Sequence, residues 1–271
     1  DYWGGYLYYW NRGFEYVRKI NVFLEQMAET SFDFDEKEQL VGEAKFLRAF
    51  IYFDLIERFG GVPIVDQPYD LGEVTFARAS FDACVEFIET DLDDAMAVLP
   101  VKYASTDINF GRATQDACQA LRSRVLLYAA SPLFNPGNEI ARWQKAADAA
   151  EALLNSDYSL YPDYRQAFIL PSGAENNELI FTRNFTVTNG HQASMHNLCR
   201  RWGSYGGWWG SNGPSQNLVD DYDMVNGEPP FLYSDGVKTI NPASGYDPQN
   251  PWENRDPRLE DTLAVYDEIP E

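Results

Sequence analysis

At 271 residues the chain can form one large domain or two ordinary ones, and 45% apolar residues suffice for a substantial core. With 42 acidic against 21 basic residues the net charge is −21, which repels phosphate backbones and anionic headgroups. That charge argues against nucleic acid as a partner and against direct adsorption to a lipid surface. There is no initiator Met, no signal peptide and no run of 18 apolar residues. Opening on DYWGGY and ending on DEIPE, the sequence reads as a fragment of a longer protein. Aromatics at 15% point to ring-lined surfaces or a large core.

The first part reads as helices. Between Asn11 and Thr30, Phe14, Val17, Phe23, Leu24 and Met27 recur at three- and four-residue steps, which predicts one buried helical face. A second helix is expected from Glu36 to Phe59, with Leu40, Ala44, Leu47, Ile51 and Leu55 on its buried stripe. It should stop at Gly60-Gly61, ahead of Val62-Pro63. Ser80 is the expected N-cap of a third helix reaching Leu99. Thr114 to Ala130 and Glu139 to Asn155 supply two more. Leu47-Arg48-Ala49 resembles Leu121-Arg122-Ser123, about 74 residues on, near twice the ~34-residue tetratricopeptide period. Small residues at Ala44, Ala49, Ala117 and Ala120 would let paired helices approach closely. The expected architecture is mainly α: a tetratricopeptide-like helical repeat scaffold over residues 1–170 and a loop-rich, irregular second half over 171–271. Within the second half, Leu179 to Thr182 is a candidate strand and Ser215 to Tyr222 a helical piece.

Most chemical signatures are missing. Cys84, Cys118 and Cys199 form no CxxC pair, and the first two fall on apolar helical positions as buried thiols. His191 and His196, five residues apart, lack the further ligands of a metal site. Asp221, Asp223, Asn226 and Gly227 superficially suggest a calcium loop, but Val225 and Asn226 stand at the wrong positions and no closing Glu follows. Glycines 203, 206, 207, 210 and 213 do not match the dinucleotide fingerprint, so no cofactor is expected. GxSxG and HExxH are absent. The many carboxylates read as a solvated surface, with a glycosidase-like pair left as an alternative.

One stretch stands out. Arg200 to Gly213, RRWGSYGGWWGSNG, puts three tryptophans and a tyrosine on a backbone with five glycines. Trp202, Tyr205, Trp208 and Trp209 offer flat faces, while Asn212 and neighbouring serines offer hydrogen bonds. A sugar presents an apolar C–H face and a rim of hydroxyls, and this loop matches both. The competing expectation is that these rings plug the seam between the two halves.

Three stretches resemble the SusD/RagB family: EAKFLRAFIYFDLIERFGGVPIV (Glu43 to Val65), GRATQDACQALRSRVLLYAASPLFN (Gly111 to Asn135), and PSQNLVDDYDMVNGEPP with YDPQNPWENRDPRL (Pro214 to Pro230, Tyr246 to Leu259). YYWNRGFEYVRKINVFLEQM is similar to that family's early helix. The resemblance implies a non-catalytic, surface-exposed outer-membrane lipoprotein that binds glycans or other nutrients. It also implies four tetratricopeptide units, and a role as lid over a SusC-like TonB-dependent transporter. The family's signal peptide, lipid-bearing Cys, first helices and last helical repeat have no counterpart in this sequence. Binding loops vary in the family, so no ligand residue carries over by motif. Trp3 is a further candidate, because family members often have loop contacts ahead of the first helix. The expected function is glycan capture for transport. The alternatives are a helical-repeat module that binds the transporter, or a glycoside hydrolase.

Overall fold

The computed structural model describes residues 6–32, 34–69, 72, 75–154, 156–169, 176–186, 188–190 and 213–263. Two compact units result, one of Asp1–Leu160 with Glu175–Arg183, the other of Tyr161–Ala174 with Asn184–Glu271.

The first unit is a stack of helices in which each packs on the next: α1 (Tyr6–Glu29), α2 (Lys37–Phe59), α3 (Phe81–Met96), α4 (Gln115–Ala130) and α5 (Ile140–Leu154). Local chemistry sets the ends. Gly60 takes φ 67° and its N–H reaches the Ile56 carbonyl, closing α2. The Ser80 and Thr114 hydroxyls accept from the Ala83 and Ala117 amides at 3.1 Å, capping α3 and α4. Each such cap is worth about 1 kcal/mol. Past Met96, the Leu99 amide still reaches the Ala95 carbonyl at 3.0 Å, so the last turn is irregular. Between α4 and α5, Asn135 accepts from the Glu139 amide at 2.8 Å and donates to Ala130 O, while Phe134 stacks on Phe81 at 3.5 Å.

Helix α2 departs from the single-stripe expectation. Leu47 is 42% exposed, whereas Phe46, Ala49, Tyr52, Phe53, Leu55 and Ile56 are buried. The reason is position: α2 packs against α1, α3 and α4, so more than one face is apolar and no single stripe describes it. In α1, only Val17 of the five expected apolar residues is fully buried; Gly13 and Asn21 complete its inner face at four-residue steps. A Cβ on Gly13 would lie 2.7 Å from Leu55 Cδ2, so glycine there permits the close α1–α2 approach.

The centre of this stack is polar as well as apolar. Arg48 on α2 is 7% exposed and grips both oxygens of Asp91 on α3 at 2.7 Å. Its remaining nitrogen donates to Asn21 Oδ1 at 2.7 Å and to the Asp66 carbonyl at 3.1 Å. Asn21 donates to Val65 O at 2.9 Å, and the Tyr52 hydroxyl accepts from the Val65 amide at 2.8 Å. The α2–α3 connection is thereby fastened to α1 and α2, and through Arg48 to Asp91 on α3. The paired LRA/LRS motif survives through its arginines: Arg48 reaches Asp91 and Arg122 reaches Asp93, on different faces of α3. Leu121 is 5% exposed, however, so the two leucines are not equivalent.

Leu179–Thr182 forms no strand. Among the described residues it has no pairing partner; Ile180 packs on the helical core, and Phe181 meets the Phe46 ring edge-on at 4.9 Å.

Among the described residues the second unit contains three short helices, α6 (Tyr164–Ile169), α7 (Gln216–Asp220) and α8 (Pro257–Thr262), and a hairpin of β1 (Phe231–Ser234) and β2 (Val237–Ile240). The hairpin turns at Asp235-Gly236, with φ 51° and 77°, and pairs Phe231 with Ile240 and Ser234 with Val237. Two positive φ values are what the right-handed twist of a two-residue hairpin requires. Val219, Leu259 and Leu263 make a small core beside Tyr222. Among the described residues no helix is long and apolar enough to cross a membrane.

Candidate functional site

Trp202, Tyr205, Trp208, Trp209, Asn212 and Trp3 lie outside the described residues, as do His191, His196 and Cys199. The described chain resumes at Gly213, at the end of this ring-rich stretch in sequence. Ser215 caps α7 by accepting from the Leu218 amide at 3.3 Å. The other end of α7 is held by Arg255, which is 6% exposed. Its guanidinium donates to the carbonyls of Val219 at 2.6 Å, Tyr222 at 2.8 Å and Pro251 at 3.0 Å. Charge-assisted bonds to three carbonyls explain why an arginine is buried there with no carboxylate contact among the described residues.

The following residues continue the clamp. The Asp256 amide donates to the Asp223 carbonyl at 2.8 Å, and Val225 N to Asn254 O at 2.9 Å. Asp256 also caps α8, accepting from the Arg258 amide at 2.9 Å, with Pro257 in the first turn. The Arg258 side chain pairs with the same carboxylate and holds it below the usual carboxylate range. The sequence NRDPRL is thus a strap that fixes 219–225.

The strap, α6 and α7 enclose an open cavity of about 270 Å³. Tyr164 and Tyr222 contribute rings, Leu218 an apolar wall, and Asp221, Asp223 and the Asp256–Arg258 pair the polar rim. Both tyrosine hydroxyls meet Thr262 Oγ1, at 3.3 Å from Tyr164 and 3.0 Å from Tyr222. That shared partner fixes the two ring tips relative to one another.

The calcium-like pattern resolves into structural turns. Gly227 takes φ 81° and donates to the Met224 carbonyl at 2.8 Å; Asn226 accepts from the Glu228 amide and donates to Ala243 O and Ser244 O. Among the described residues no cluster of three or more His, Cys, Asp or Glu side chains could hold a metal. Cys84 and Cys118 are free and buried.

Close by in unit 2, Asp220 is 6% exposed, accepts from Gln216 at 3.0 Å and pairs with Lys238 of the hairpin. Burial raises its pKa, but Lys238 and Gln216 outweigh burial and leave it lowered. A larger groove of about 360 Å³ lies between α3, α4 and α5 in the helical unit. Arg142 crosses it to both oxygens of Asp82, at 2.8 and 2.9 Å, and no aromatic ring lines it. Sequence reading missed the hairpin, for which Asp-Gly between YS and VKTI was an available signal, and the tyrosine cavity, for which there was none.

A family model described as starch-binding and associating with the outer membrane matches residues 3–127, and a SusD family model matches residues 177–269. SusD-like protein P2 of Formosa agariphila is 24% identical over 241 residues, 87% of this chain and 41% of that protein. A solved SusD-like carbohydrate-binding protein of Bacteroides fragilis is 26% identical, with a TM-score of 0.75 over 94% of this chain and 45% of its own. A second solved SusD-like protein of that species is 29% identical, with a TM-score of 0.69 over 93% and 48%. The chain therefore spans less than half the length of these relatives. Because both halves are matched in order, and the fold is shared with solved members, this chain belongs to the SusD/RagB family.

Proposed function

We propose that this chain is part of a non-catalytic glycan-binding protein, lipid-anchored at the outer-membrane surface, that captures oligo- or polysaccharide for a SusC-like TonB-dependent transporter. The observation that carries this reading is the likeness, over 94% of the chain, to a solved carbohydrate-binding protein. The ring-rich stretch around Trp208 and Trp209 supplies matching chemistry, and it runs directly into the strapped α7. Affinity electrophoresis and calorimetry across a polysaccharide panel test it. The expected result is binding that is lost in a Trp208→Ala/Trp209→Ala variant. No binding anywhere would overturn the reading, and binding unchanged in the variant would overturn the loop's part in it. Absence of released reducing sugar on the glycans that bind would remove the hydrolase alternative.

A feature of α1 favours an additional docking role for the helical unit. Arg12 lies 5.2 Å from the Tyr8 ring and 5.3 Å from the Tyr16 ring, with both rings exposed. Tyrosine and arginine are the side chains enriched in protein interfaces, and this cationic face stands on a chain of net charge −21. Replacing Tyr8, Arg12 and Tyr16 by alanine is expected to lower co-purification with the transporter while leaving glycan binding intact.

A further inference from the structure

We infer that the cavity between Tyr164 and Tyr222 is a subsite for one uncharged sugar residue, closed to uronic-acid and sulfated sugars. The inference rests on the glycan-binding reading and adds to it a location on described residues and a substrate class. At about 270 Å³ the space lies just below the usual range of small-molecule pockets, so it suits a single ring better than an extended chain. Its apolar surface comes from two tyrosine rings and Leu218, half-exposed and available to the C–H face of a pyranose. Both ring hydroxyls meet at Thr262 Oγ1, which positions the two ring tips relative to one another.

The polar rim decides the class. Asp221 and Asp223 have no ion-pair partner among the described residues, and each carries two oxygens that can accept from neighbouring sugar hydroxyls. Among the described residues Arg258 is the one cation of the lining, and its Nε already donates to the Asp256 carboxylate at 3.0 and 3.1 Å. An anionic sugar approaching Arg258 would compete for a charge that Asp256 already neutralises, and Asp256 is held in place as the cap of α8. The described residues of the rim are left with an excess of two negative charges, within a chain already at −21. Both the local and the overall field thus favour hydroxyl donors and oppose carboxylate or sulfate.

The test uses the full-length protein on immobilised oligosaccharides: neutral gluco-, manno-, galacto- and xylo-oligosaccharides beside oligogalacturonate and sulfated galactans. Neutral members are expected to bind and charged ones to bind at least tenfold more weakly. Asp221→Ala/Asp223→Ala should weaken the neutral ligand at least tenfold, and Asp221→Asn/Asp223→Asn should narrow the gap to the uronate. Circular dichroism of both variants should match the parent, since Asp223 contributes to the fold through its carbonyl and not its carboxylate. Charged sugars binding as tightly as neutral ones would overturn the inference, as would neutral binding indifferent to the alanine pair; in both cases glycan capture itself stands. Failure of every oligosaccharide, neutral and charged, would overturn the glycan reading and this inference with it.

Discussion

Replacing Arg48 with methionine removes the cation from the middle of the helical stack and leaves Asp91, 2% exposed, without its partner. Breaking a buried pair from one side costs about 3–5 kcal/mol, since the surviving charge keeps its desolvation penalty. Asn21 Oδ1 and the Asp66 carbonyl lose their donor as well, which pushes the loss toward the upper end. At about 2–4 °C per kcal/mol for a chain of this size, the melting temperature should fall by roughly 6–20 °C. The pH dependence is a second readout. Burial outweighs Arg48 and already holds the Asp91 carboxyl above the usual carboxylate range. Without Arg48 it rises further, so the folded variant binds a proton more readily than the unfolded chain does. Its deficit is then largest at neutral pH and shrinks on acidification toward the ordinary carboxylate range. The double change Arg48→Met/Asp91→Leu should recover at least half of the lost stability, because an apolar pair of similar volume carries no desolvation penalty. Urea unfolding at pH 7 and pH 4.5 reads all three proteins. A single-variant loss under about 1 kcal/mol, or a double variant no better than the single, would refute the account of a coupled buried pair.

Gly61→Ala would place a Cβ 2.1 Å from the Ala79 carbonyl oxygen, so a loss of about 1–3 kcal/mol is expected in urea; an unchanged midpoint would mean that the two segments do not run so close. Lys238→Met removes the partner that keeps Asp220 lowered. The stability of that pair is present above the carboxylate's unfolded pKa and lost as pH falls through the lowered folded value. Parent and variant should therefore differ most near neutrality and converge in acid, and a gap constant with pH would exclude the linkage. Burial pushes the Cys118 thiol up to about 12 and Cys84 upward too. Peptide-resolved alkylation should then leave both unlabelled in the native protein and label both in urea, and rapid native labelling would contradict their burial.

Much of the helical unit was legible because its determinants are local. Ser80 and Thr114 cap helices with their own side chains, and Gly60 takes the backbone angle that ends α2; such signals lie within four residues of what they control. Asp235-Gly236 was equally local, and its hairpin could have been read from the same kind of rule. The inner faces of the helices were a different matter. Leu47 is exposed and Arg48 buried because Asp91, 43 residues later, and Asn21, 27 residues earlier, are brought to the same point, and periodicity along α2 carries no trace of either. Arg255 behaves alike: in sequence it is one charge among many, and only the carbonyls of 219, 222 and 251 make it a clamp. The sequence alone determined a helical, strongly acidic chain with one stretch rich in aromatic residues and glycines. Tertiary structure alone decided which charges are buried, and it alone joined Tyr164, Tyr222 and Arg258 around one cavity, because burial and concavity depend on segments distant along the chain.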